Sequence, residues 1–148
     1  MQRARVLSVV LLTLACSSAG SSRPADVKSP TIVVQQAGPI FFGSGTSAPV
    51  SLDVYVKNNA DVPIRLREVE IRSPGMTQYT LLRVAKLFGE TIPPGETRTV
   101  SLVATAVRSS TRFQMAEPLS IVATVRLEAK GKAFREFIMQ RVAGEGPN

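Results

Sequence analysis

The chain has 148 residues, with 18 lysines and arginines against 11 aspartates and glutamates, a formal charge of +7, one cysteine and no histidine. Without histidine there is no Ser-His-Asp or Cys-His nucleophile system and no ordinary zinc site, and a single cysteine cannot close an internal disulfide. The chain has no tryptophan, and its tyrosines and phenylalanines are not interleaved with basic residues, which excludes the stacking platform of a single-stranded nucleic-acid binder.

Arg3 and Arg5 supply a positive start, and Val6 to Leu14 an apolar run of nine residues, the two parts of an export leader. As a helix that run spans roughly 14 Å, about half of a bilayer core, and no transmembrane helix is expected after it. The segment Leu12-Thr13-Leu14-Ala15-Cys16 resembles the lipobox of bacterial lipoprotein signals, in which a small residue precedes the cysteine that is acylated and becomes N-terminal. It differs in carrying Thr13 three residues before the cysteine. The resemblance implies lipidation of Cys16, a membrane-anchored domain of the cell envelope facing the periplasm, and in Ser17 a residue compatible with outer-membrane sorting. Several acyl chains anchor firmly where one does not. Cleavage after Ala19, giving a secreted or soluble periplasmic protein, and a signal retained in the membrane stay open. Acylation would consume a thiol that otherwise stays unpaired after export.

Residues 1–15 are thus expected as signal peptide, 16–30 as a flexible Gly/Ser-rich tether, 31–143 as one domain, and 144–148 as a disordered tail. Loss of Arg3 and Arg5 with the leader leaves 16 cations against 11 carboxylates, or +5, enough to bias a tethered domain near an acidic surface. Phe41 and Phe42, if they lie in a strand, point to opposite faces. Either both pack, one in the core and one under the tether, or one is left as a sticky edge for a partner. Gly43-Ser44-Gly45 lacks the Lys-Ser/Thr that completes a phosphate-binding loop and is read as a flexible loop.

Val50, Leu52, Val54 and Val56 alternate with Ser51, Asp53, Tyr55 and Lys57, the period-two pattern of a strand with one buried face. Asn58-Asn59-Ala60-Asp61 then predicts a turn built from Asx side chains, not a calcium loop. Ile64 and Leu66 keep the strand phase, but the apolar set moves to Val69 and Ile71. A one-residue insertion near Arg67-Glu68, as a β-bulge or a bend between sheets, accounts for that change. Ser73-Pro74-Gly75 and Pro93-Pro94-Gly95-Glu96 mark further turns. Tyr79 to Phe88 fits a strand or a short helix, with a strand favoured. Val100, Leu102, Ala104 and Ala106 form one more alternating set, and Leu119, Ile121, Ala123, Val125 and Leu127 another. After a turn at Lys130-Gly131, the sequence Phe134, Phe137, Met139 suggests a second slip around Arg135-Glu136. The fold class expected is all-β, an antiparallel sandwich of immunoglobulin-like or fibronectin-like type with about seven strands.

The series Leu52-Asp53-Val54-Tyr55-Val56-Lys57-Asn58-Asn59, Val62 to Val69, and Ile92-Pro93-Pro94-Gly95-Glu96 before Val100-Ser101-Leu102 resembles the late-embryogenesis-abundant type 2 domain of water-stress and hypersensitive-response proteins. It differs in having Asn59 where that family usually has proline. The resemblance implies an immunoglobulin-like sandwich and a non-enzymatic role in stress protection or binding, and it transfers no catalytic residue.

No catalytic residue, metal site or cofactor is expected. Glu68 and Glu70 share a strand face but stand among Arg65, Arg67 and Arg72, the pattern of a charge-balanced surface. Lys57, Lys86, Lys130 and Lys132 fall at strand ends or turns, where burial would not neutralise them for serine-lysine chemistry. The stretch Arg108 to Met115 is long for a sandwich loop, and Arg108, Arg112, Phe113 and Met115 are the partner-binding candidates, with inward-tucked apolar anchors as the alternative. The expected function is a non-catalytic binding or accessory module of the envelope, held by a lipid anchor. Its partner would be an envelope protein or an acidic envelope polymer, and not nucleic acid. Stress protection without a single partner is the alternative, and an enzyme of unknown class the residual one.

Overall fold

The computed structural model describes residues 22–75, 79–108 and 119–142. The leader, Cys16 and the tail lie outside them. Nine strands are present among the described residues: β1 (Thr31–Gln36), β2 (Ser47–Lys57), β3 (Ile64–Arg72), β4 (Tyr79–Leu81), β5 (Val84–Leu87), β6 (Thr91–Ile92), β7 (Thr97–Arg108), β8 (Leu119–Ala129) and β9 (Lys132–Val142). One sheet has the order β1-β2-β7-β4; the other runs β5-β3-β8-β9, with β6 also pairing β3. All pairings are antiparallel, and the two sheets form the expected sandwich.

The alternating sets build its core. Val50, Leu52, Val54 and Val56 of β2 are buried, as are Val100, Leu102, Ala104 and Ala106 of β7 and the odd-numbered residues of β8 from Leu119 to Ala129. Burying each larger side chain stabilises the fold by about 1.5–3 kcal/mol. Pro49 is tolerated within β2 because the last β1–β2 bond, Ala37 N–H to Ser51 O at 2.9 Å, has already been made. The proline's missing donor faces the side that β1 has left.

The register of β3 against β8 shifts between Leu66 and Glu68. Arg67 is the extra residue of a β-bulge, and the bulge keeps Ile64, Leu66, Val69 and Ile71 all buried. Tyr79 to Phe88 is extended and supplies two strands in different sheets, β4 beside β7 and β5 beside β3. This crossing, with two-residue β6, brings the strands to nine from the expected seven or so.

Asn58 closes one end of the sandwich. It is fully buried; its Nδ2 donates to the carbonyls of Val62 at 2.8 Å and Ile92 at 2.9 Å, and its Oδ1 accepts the Ala60 N–H at 2.9 Å. That last bond is the Asx turn expected there. The Asn58 backbone also exchanges bonds with Glu96 and Gly95, and Gly95, at φ +76°, sits in the left-handed region the Pro-Pro-Gly turn requires.

Two expectations need correction. The register of β8 against β9 is unbroken from Leu119↔Val142 to Ala129↔Lys132, so no slip occurs at Arg135-Glu136. The two-residue turn Lys130-Gly131 has φ of 51° and 72°, the geometry of a tight hairpin that sets the register. Phe134 therefore faces the core while Phe137 and Met139 face outwards. The tether expected over 16–30 is packed in its described part: Val27 is 2% exposed and belongs to the core. Arg23 pairs with Glu136 at 2.8 Å, and Asp26 with Lys130. One apolar side chain flanked by matched charges is enough to hold a polar segment that composition alone reads as loose.

Candidate functional site

Arg108 ends β7 opposite Tyr79 of β4. Its N–H donates to Thr46 O at 2.9 Å, and its guanidinium lies 5.3 Å from the centre of the Phe42 ring. Phe42 in turn stacks on Tyr79 with centroids 5.5 Å apart. The half-buried Arg108 thus clamps an aromatic pair at the end of the sandwich. Arg112, Phe113, Met115 and Cys16 lie outside the described residues. Phe41 and Phe42 are in the loop before β2 and not in a strand, as the bonded turn from Gly45 N–H to Phe42 O shows. Phe42 packs against the core, whereas Phe41 is 78% exposed.

The outer face of the second sheet carries an ordered set of charges. Glu68 accepts Arg126 at 2.9 Å, Glu70 accepts Arg83 at 2.7 Å, and Arg67 stands 3.6 Å from Glu128. The hydrogen bond from Arg83, helped by the positive field of Arg83, Arg126 and Arg72, holds the Glu70 carboxyl below its ordinary range although partial burial opposes it. The same bond raises Arg83. At the hairpin, Lys130 lowers the exposed Asp26 chiefly through its hydrogen bond. Both glutamates on β3 are thus engaged by guanidinium groups, and for Glu70 this stabilises the ionised form, which is poorly suited to proton donation.

Beside these charges stand Phe137, 68% exposed, and Met139, 75% exposed. The ladder places Met139 opposite Val122 and Phe137 opposite Thr124, with Arg72 on the far side of Val122. Sequence reasoning missed this surface, although the phase change after Phe134 was its signal: in a strand without a bulge, the same spacing points the later residues outwards.

The two sheet edges formed by β1 and β9 meet along one side. The Gln140 carboxamide of β9 bonds the Val34 backbone twice, Nε2 to the carbonyl at 2.7 Å and Oε1 from the N–H at 3.2 Å. A cleft of about 410 Å³ opens beyond it, lined by Gln36, Gly38 and Arg141 among others. Gln36 donates to Gly38 O, while its Oε1 is buried without a hydrogen-bond partner.

Among the described residues no group of three or more His, Cys, Asp or Glu side chains converges, and Lys57, Lys86, Lys130 and Lys132 are exposed. No helix among them is long and apolar enough to cross a membrane.

No family of known proteins matches the sequence, and no curated protein does. Solved structures do. The Northeast Structural Genomics Consortium target SoR45 superposes with a TM-score of 0.53 at 14% identity, over 84% of this chain and 91% of that one. A FixG-related protein from Vibrio parahaemolyticus gives a TM-score of 0.37 at 13% identity, over 80% of this chain and 99% of that one. PapD-like domain 7 of human CEP192 gives 0.31 at 6% identity, over 97% and 100%. The first similarity shows a shared fold alone, an all-β sandwich; the other two are too distant to carry an argument.

Proposed function

We propose that this protein is an exported, lipid-anchored, non-catalytic binding module of the cell envelope. The observation that carries this is the conjunction of a leader ending in Ala15-Cys16 with a sandwich that presents Phe137 and Met139 side by side on an edge strand. Exposed apolar side chains on a rigid sheet support recognition of a surface. The export-type leader and lipobox support delivery to a membrane.

The test is mass spectrometry of the N-terminus from cells of origin, with crosslinking and capture of the detergent-solubilised protein. An acylated Cys16, and loss of membrane retention in Cys16→Ser, are the expected results. A Cys16→Ser variant that stays fully membrane-bound, or an unmodified terminus beginning near Gly20, overturns the anchor.

Stress protection of the late-embryogenesis-abundant type 2 kind is the second reading. It is favoured by the contact of Asn58 with Gly95 and Glu96, since these residues carry that resemblance. Substitution of Arg112, Phe113 and Met115, and separately of Phe137 and Met139, separates the two: loss of a captured partner in either set with the fold intact supports docking, and indifference to both supports bulk protection.

A further inference from the structure

We infer that the outer face of β9, centred on Phe137 and Met139, is a docking surface for an anionic lipid membrane. This rests on the proposed anchor only for its delivery to the membrane. Arg135, Phe137, Met139 and Arg141 alternate on the exposed side of β9, and Arg72 lies in the same cross-strand row as Val122 and Met139. Two apolar tips are thus ringed by three cations.

The charges favour lipid over another occupant. Glu68 and Glu70, the carboxylates of this face nearest in the ladder, are already paired with Arg126 and Arg83. Among the described residues no ion pair includes Arg72, Arg135 or Arg141. Arg135 sits directly opposite Arg126, whose charge Glu68 already engages, so the ladder places no carboxylate beside Arg135. Each such cation near an anionic bilayer adds to binding, and Phe and Met tips can enter the headgroup boundary. The apolar part of the face is sparse, Phe137, Met139 and half-buried Val122 with exposed Leu87 further across the sheet beside Glu68, and shallow insertion into a bilayer needs no more.

The attachment point lies on the same edge strand. Arg23 is held on Glu136, which precedes Phe137 and by alternation turns to the opposite side of β9. Cys16 stands six positions before Ser22, a reach of at most about 22 Å when fully extended. A lipid on Cys16 would therefore keep this face within one short tether of the headgroups.

The experiment uses the chain from residue 16 onward carrying Cys16→Ser, so that no acyl group contributes, floated with vesicles of phosphatidylcholine alone or with added phosphatidylglycerol. Binding to the anionic vesicles, weakened by salt, is expected. Arg135→Gln with Arg141→Gln should lower it by about tenfold or more, and Phe137→Ser with Met139→Ser by about tenfold, while Phe41→Ser, an exposed phenylalanine elsewhere, leaves it unchanged. No binding, equal binding to neutral vesicles, or indifference to both double variants overturns the inference. So does self-association in sedimentation without vesicles that the Phe137 and Met139 variants abolish. Mass analysis of Cys16 fails or succeeds independently of this result, so the anchor and the docking surface can fall separately.

Discussion

Gln140 on β9 takes the place of a neighbouring strand for Val34 on β1, donating to its carbonyl at 2.7 Å and accepting its N–H at 3.2 Å. β1 bonds β2 through alternate residues, as Ala37 to Ser51 shows, so Val34 turns both polar groups to the open edge. One side-chain amide satisfies both and ties the edge of one sheet to the other.

Gln140→Leu is therefore expected to destabilise the fold by about 1–3 kcal/mol, because both Val34 groups lose their partner in a part-buried place. Denaturant unfolding should show a lower midpoint with an unchanged slope; an unchanged midpoint would mean that water replaces the amide without loss.

Asn58→Asp keeps an acceptor for the Ala60 N–H but loses both donations to Val62 and Ile92. It also buries a carboxylate in a site that is 0% exposed. A loss of about 2–4 kcal/mol is expected, read by the same unfolding experiment, and Asn58→Asp should regain part of its stability as the pH falls and the acid is neutralised.

Glu70 has its carboxyl held down in the folded state by Arg83. A depressed folded value means that the contribution is complete above the ordinary glutamate range, near 4.3, and is lost as pH falls through the lower folded value. Glu70→Gln should cost no more than about 1 kcal/mol at pH 7, because Arg83 is largely exposed. The difference from the parent should narrow below pH 4. Parallel unfolding curves at every pH would show that the pair contributes nothing.

Deletion of Arg67 should be tolerated where deletion of Arg65 is not. Without Arg67 the strand reads Ile64, Arg65, Leu66, Glu68, Val69, Glu70, Ile71, a regular alternation in phase with β8. The loss is confined to an exposed ion pair and the bond from Phe88 N–H to Arg67 O, about 1–2 kcal/mol. Removing Arg65 breaks the alternation at Ile64, a buried core residue. Circular dichroism and the unfolding midpoint of the two deletions distinguish these outcomes.

Alternation alone marks β2, β3, β7 and β8, together with a one-residue insertion near Arg67-Glu68 that it leaves open as a bulge or a bend between sheets. Alternation is local: each side chain's burial follows from its parity, and a phase change within one strand shows as two adjacent polar residues. The Asx turn at Asn58 and the Lys130-Gly131 hairpin were legible for the same reason, since turn chemistry acts over a few residues.

Register and long-range contacts settle the other features. Whether the spacing of Phe134 and Phe137 meant a bulge or an outward face depended on the register of β8, which is a property of the pair and not of either strand. Ile92 reaches Asn58, and Gln140 reaches Val34, across long stretches of chain that periodicity does not connect. Val27 is core although its own neighbourhood in sequence is polar. The exposed Phe137 and Met139 face is of the same origin: strand pairing, not composition, turned it outwards.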